Sequence, residues 1–206
     1  MDYPAGQPAA VTGKQSDKEK KHLKSNSVQK MVLAALLCAV GIVIPMFSPF
    51  KIVLEPASYT LGSHVAIMIA MFLAPAVAAF VSLGTALGFF FGGFPLVIVL
   101  RAATHVVFAV AGAWYLQKSP DTIKSVPKST VFSLLLGALH AVCEVAVVMP
   151  FYFGDRLSAA NYANGFFYSV VLLVGVGTVV HSMIDFAISL AVWKAVGVRR
   201  RDGGRA

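Results

Sequence analysis

A chain of 206 residues with 58% hydrophobic and 13% charged residues and a mean hydropathy of +0.77 lies outside the range of soluble globular domains and is read as an integral membrane protein. The net charge of +8 gathers at the two ends and in one loop, without interleaved aromatic residues. It therefore reports membrane orientation, and no nucleic acid is expected as a partner.

Residues 1–27 contain Pro, Gly, Ser, Gln and Lys with scarcely any large apolar side chain, which predicts a disordered basic cytoplasmic tail. No small-residue cleavage site follows the apolar run at 31–47, so that run is taken as a retained first span and not as a signal peptide. Further apolar segments lie at 62–74, 76–91, 95–116, 129–151 and 166–194, where about 20 residues are needed to cross a bilayer. The second and third are short, and Pro75 alone would only kink one merged helix. Charge decides the count. Six spans with a cytoplasmic N-terminus place all of the 17 Lys and Arg inside except Lys51, Arg101 and Arg156. Five spans would send the middle loop and the C-terminal basic residues outward, against the positive-inside rule. The expected fold is an all-α integral membrane protein, a six-transmembrane-helix bundle with both termini cytoplasmic. Its membrane domain covers 28–196, and a basic cytoplasmic tail covers 197–206.

Ionisable residues inside the apolar segments fall into pairs four apart: Arg101 with His105, His140 with Glu144, and His181 with Asp185. Residues at that spacing share one helix face, so spans four, five and six each present a polar stripe. Charge in hydrocarbon is costly and usually faces a bundle interior or a cavity. A rise of about 1.5 Å per residue puts Arg101 and Glu144 in one outer layer, the histidines nearer the middle, Asp185 deeper and His64 at the outer mouth of span two. Two readings of Arg101 and Glu144 stay open, mutual neutralisation and contact with a ligand. A single histidine is equally open to an interhelical hydrogen bond. His140, Glu144, His181 and Asp185 carry donors that suit zinc, but no established metal motif matches, so neither a metal nor another cofactor is expected. Cys38 and Cys143 add no disulfide framework.

The outer loop at 48–61, which includes Tyr59, has the length and mixed character of a lid. The loop at 152–165, with Asp155, Arg156, Asn161, Tyr162 and Asn164, is either a second closing element or an ordinary connection. Ala35 with Ala39, and Gly84 with Gly88, are small residues four apart that allow close helix approach.

Six short spans, the basic tail, the Ala35/Ala39 face, the long first outer loop and the Ala74-Pro75 hairpin together resemble the substrate-binding S components of energy-coupling factor (ECF) vitamin transporters, over roughly residues 28–196. The segment 92–105 is most similar to niacin-type members. The resemblance implies a bacterial plasma-membrane subunit that captures a small vitamin outside and delivers it inward. Its implied partners are a transmembrane coupling subunit docked on Ala35 and Ala39, two ATPase subunits and the lipid bilayer. The implied protein is not an enzyme, in keeping with the lack of a phosphate-loop motif. Candidate vitamin-binding residues are Arg101, His105, His140, Glu144, His181, His64, Tyr59 and Asp185. The Arg101 fork suits a carboxylate such as nicotinate or pantothenate, whereas neutralisation by Glu144 would favour pyridoxine or hydroxymethylpyrimidine. A proton-coupled carrier and an intramembrane metal-dependent enzyme are the rival classes.

Overall fold

The computed structural model describes the backbone of residues 10–54 and 57–202 and the side chains of residues 28–50 and 59–197. The first helix, α1, spans Ala10–Phe47. Its portion up to Leu33 belongs to an N-terminal unit, and residues 34–206 form a second unit. The helix starts at Ala10, inside the segment read as an unstructured tail. The Lys, Gln and Glu residues of that segment have good intrinsic helix propensity and continue the winding of the span that follows. Residues 1–9 lie outside the description.

The second unit continues with a hairpin of two antiparallel strands, β1 (Lys51–Leu54) and β2 (Ala57–Thr60), in the register Lys51 to Thr60 and Leu54 to Ala57. Ile, Val, Tyr and Thr in this loop favour extended backbone. Helices α2 (Val65–Leu73) and α3 (Pro75–Phe91) follow, then α4 (Leu96–Lys118), α5 (Val126–Phe153) and α6 (Gly177–Asp202). A π-wound segment, Phe167–Val176, leads directly into α6. Among the described residues, four helical segments are long and apolar enough to cross a membrane: Val28–Phe47, Leu96–Lys118, Val126–Phe153 and Phe167–Gly197. The fold is that of an all-α membrane protein with one short hairpin.

Ala74 is extended, with φ −171 and ψ 154, and Pro75 opens α3 at its first turn, where a missing N–H costs nothing. The expected break at Ala74-Pro75 is therefore a helix boundary. Span two differs from the expectation of an element over 62–74. Its helix has nine residues, about 14 Å of rise, or half of the hydrocarbon thickness. The turn at Leu61–His64 precedes it. Buried backbone N–H groups need partners inside the protein, and a buried carboxylate supplies them to this turn.

Small residues set the approach of α1 to α3. A Cβ on Gly84 would meet Cys38 Sγ at 2.5 Å, one on Gly88 would overlap Ile42, and Gly41 faces Thr85. Gly84 and Gly88 therefore serve internal packing. Ala34 and Leu37 are buried on the same side of α1, while Ala35 and Ala39 are exposed on the other.

Candidate vitamin-binding site

Asp185, fully buried on α6, holds the start of α2. Its carboxylate accepts hydrogen bonds from Gly62 N at 2.8 Å and His64 N at 3.0 Å, and His64 Nδ1 lies 3.0 Å from Oδ2. An anion is favoured at a helix N-terminus because the first N–H groups lack partners within the helix. His181 Nε2 stands 3.1 Å from Ser63 Oγ and 3.4 Å from Asp185 Oδ2. His64 and Asp185, assigned to opposite depths by counting residues, are thus direct neighbours. The α2 helix starts only at Val65, after the turn at Leu61–His64, and that turn rests against Asp185. Asp185 lies behind the cavity wall, and its oxygens serve backbone and histidine donors.

Glu144, 4% exposed on α5, is the second anchor. Its Oε2 accepts from Arg101 Nη2 at 2.7 Å and from Thr178 Oγ1 at 2.8 Å, which ties α5 to α4 and α6. Its Oε1 lies 3.6 Å from His105 Nε2 and 3.4 Å from His140 Nε2, without hydrogen-bond geometry. The two charges pair, and Arg101 nevertheless faces the cavity with its Nε buried and unpartnered. A guanidinium has five N–H donors, so one bond to Glu144 leaves most of the fork available.

Three imidazoles form the cavity floor. Ring centroids are 4.7 Å apart for His64 and His105, and 4.8 Å apart for both His64 with His140 and His105 with His140. Phe108 packs beneath them, 4.6 Å from the His140 ring. Both nitrogens of His105 and both of His140 are buried without hydrogen-bond partners. His181 sits beside His64, with ring centroids 5.0 Å apart, and Tyr59 lies 5.3 Å from His181.

Tyr59 connects the hairpin to this floor. Its hydroxyl donates to the Leu173 carbonyl in the π-wound segment, and its ring packs with the cluster Val148, Val170 and Val174. A Cβ on Gly177 would overlap the Tyr59 hydroxyl, so the glycine makes room for it. Burial pushes the Tyr59 hydroxyl up to about 12, which keeps it protonated as a donor.

The cavity has a volume of about 110 Å³ and is lined by Tyr59, His64, Arg101, His105, His140, Glu144 and His181, among others. Of the eight residues expected at the site, only Asp185 is absent from the lining. Sequence reasoning missed Ser63, Thr178, Phe89, Phe94 and Ile98, which also line it. Ser63 adjoins His64, and Thr178 lies three residues before His181 on the same helix face, so both carried a spacing signal. Phe89 and Phe94 stack with centroids 4.7 Å apart, a contact across the α3–α4 turn that no periodicity announces. The loop at 152–165 contributes none of its residues to the described lining. Tyr162 hydrogen-bonds within that region, to Leu157 N and the Phe151 carbonyl.

The chain is 40% identical over 179 residues to the niacin transporter NiaX of Lactococcus lactis subsp. cremoris, a match covering 87% of this chain and 79% of that protein. No family model matches, and no solved structure matches.

Proposed function

This chain belongs to the niacin-type S components of ECF vitamin transporters, and from that premise we propose that it captures nicotinate outside the bacterial plasma membrane and delivers it inward with an ATP-driven ECF module. It is a multi-pass transport component and not an enzyme. The observation that carries the substrate reading is the Arg101 fork, with unpartnered Nε, on the wall of a cavity of about 110 Å³. That volume is well below the ~300–1,000 Å³ of pockets for drug-sized ligands and suits a single small ring. Arginine pairs with a carboxylate bidentately, while Phe89, Phe94 and Tyr59 supply aromatic wall.

The pathway assigned to the chain has six crossings with both termini cytoplasmic, because the short α2 and α3 then return the basic middle loop and tail to the inside. Tyr59 and the hairpin form the lid over the vitamin. Ala35 and Ala39 present a small-residue face on the exposed side of α1, where a coupling subunit's helix can approach closely. Two ATPase subunits acting through that coupling subunit supply the energy. Titration of the purified protein with nicotinate, pantothenate and pyridoxine tests the assignment. Tight saturable binding of nicotinate is expected, and binding of only another vitamin would reassign the cargo.

A proton-coupled carrier is the second reading. It is favoured by the unbroken series Glu144, His140, His64, Asp185 and His181, whose neighbours lie within reach of one another. Uptake that persists without any ATPase module and collapses with the proton gradient would select it.

A further inference from the structure

The histidine floor has features that carboxylate recognition by Arg101 does not require. Binding an anion needs donors, whereas His105 and His140 hold four buried ring nitrogens with no partner, and unpartnered buried polar atoms are costly. One ligand nitrogen from each of His64, His105 and His140 lies within 4.8 Å of the others, and all three residues are buried. Imidazoles bound to one tetrahedral ion at ~2.0–2.1 Å place their ring centroids about 5 Å apart. The observed triangle of 4.7, 4.8 and 4.8 Å matches that spacing, and the rings stand at steep mutual angles of 72°, 77° and 89°.

Each ring also has a carboxylate on one side. Asp185 Oδ2 lies 3.0 Å from His64 Nδ1, and Glu144 Oε1 lies 3.6 and 3.4 Å from the Nε2 atoms of His105 and His140. Metal-binding histidines characteristically have an outer hydrogen-bond partner, which fixes the tautomer and leaves the other nitrogen for the ion; Asp185 holds that place for His64, while Glu144 stands beside His105 and His140 without hydrogen-bond geometry. His181 is a weaker candidate because its Nε2 already faces Ser63 and Asp185.

Formal charge points the same way. Glu144 and Asp185 carry two negative charges against one positive on Arg101. Counting only the two carboxylates, Arg101 and a bound nicotinate, two negative charges are left uncompensated in a buried site, and unpaired buried charge is strongly unfavourable. A divalent cation brings the sum to zero.

We propose that His64, His105 and His140 hold a divalent transition-metal ion, zinc by donor set, whose fourth position opens into the cavity and takes the ring nitrogen of the bound pyridine carboxylate. Three protein ligands and one open position are the arrangement of zinc sites that accept an exogenous ligand, and neutral nitrogen donors suit zinc among the first-row ions. The metal thus reads the ring while Arg101 reads the carboxylate. The zinc site stands on the geometry alone, and its fourth ligand rests on the vitamin reading above.

The test uses the full chain purified without a polyhistidine tag, stripped with a chelator and titrated with zinc chloride. One equivalent per chain is expected, with a rise in melting temperature, and His105→Gln and His140→Gln should each lose affinity at least tenfold. Absence of saturable zinc binding by the stripped wild-type protein, or equal binding by both variants, would overturn the site. Nicotinate is then compared with benzoate, which keeps the carboxylate and lacks the ring nitrogen. A preference for nicotinate of at least tenfold that disappears on chelation is expected. Undiminished nicotinate binding by the stripped protein would overturn coordination of the ring nitrogen. Failure of nicotinate to bind while one zinc remains bound would overturn the vitamin reading and the fourth ligand with it, a failure recognisable from the unchanged zinc stoichiometry.

Discussion

Removal of Arg101 has two consequences that a single substitution confuses. Arg101→Ala takes the carboxylate receptor from the cavity, but it also strands Glu144, which is 4% exposed and keeps only Thr178 as a hydrogen-bond donor. Breaking a buried ion pair from one side costs about 3–5 kcal/mol, a large part of the ~5–15 kcal/mol that holds a typical domain together. The double variant Arg101→Ala/Glu144→Gln removes the stranded charge and should recover most of that loss. Neither variant should bind nicotinate. Two charge-assisted hydrogen bonds at about 1.5–3 kcal/mol each correspond to a loss of affinity of at least ~100-fold. Thermal melting in detergent and calorimetric titration of both proteins read the two effects separately. A double variant that is as stable as wild type and still binds nicotinate with unchanged affinity would refute the role of Arg101. Equal instability of the single and double variants would refute the account of Glu144.

Other substitutions probe the supports of the site. Asp185→Asn should lower stability by about 1.5–3 kcal/mol through weaker bonds to Gly62 N and His64 N; an unchanged melting temperature would show that the carboxylate charge is not what holds α2. Tyr59→Phe deletes the hydroxyl bond to Leu173, about 0.5–1.5 kcal/mol, and should speed vitamin release measured by stopped flow while leaving the fold intact. Because burial favours the neutral phenol, with its ionisation raised to about 12, lid stability from Tyr59 should hold below pH ~10 and fall as pH rises further; difference absorbance between wild type and Tyr59→Phe checks this. Ala35→Trp or Ala39→Trp should spare vitamin binding and prevent copurification with the coupling subunit, whereas loss of binding would mean that these alanines pack within the protein.

Where chemistry followed helical period, the sequence was readable. The three pairs four residues apart do converge, because α4, α5 and α6 are regular enough for a common face to be inferred from spacing alone. Pro75 marked a true helix boundary. His64 was expected at the outer mouth of span two, away from Asp185, because nothing local reveals that α2 begins only at Val65, after a turn held by Asp185 from 121 residues away. The same long-range contact turns the Asp185 oxygens toward Gly62 N and His64 N, and Asp185 is absent from the cavity lining. The hairpin was read as a lid without its strands, since four-residue strands give too short a pattern to separate from a loop. His105 and His140 were expected in one middle layer, but that His64 joins them was not legible, because its place beside α4 and α5 is set only by packing.

The most direct measurement is a calorimetric comparison of nicotinate with nicotinamide on the purified protein. The two share the pyridine ring and differ in the group offered to Arg101. Saturable nicotinate binding at one site per chain is expected, with at least ~10-fold weaker binding of nicotinamide, the loss of one charge-assisted interaction of about 1.5–3 kcal/mol. Equal affinity for the two compounds, or no binding of either by folded protein, would contradict it.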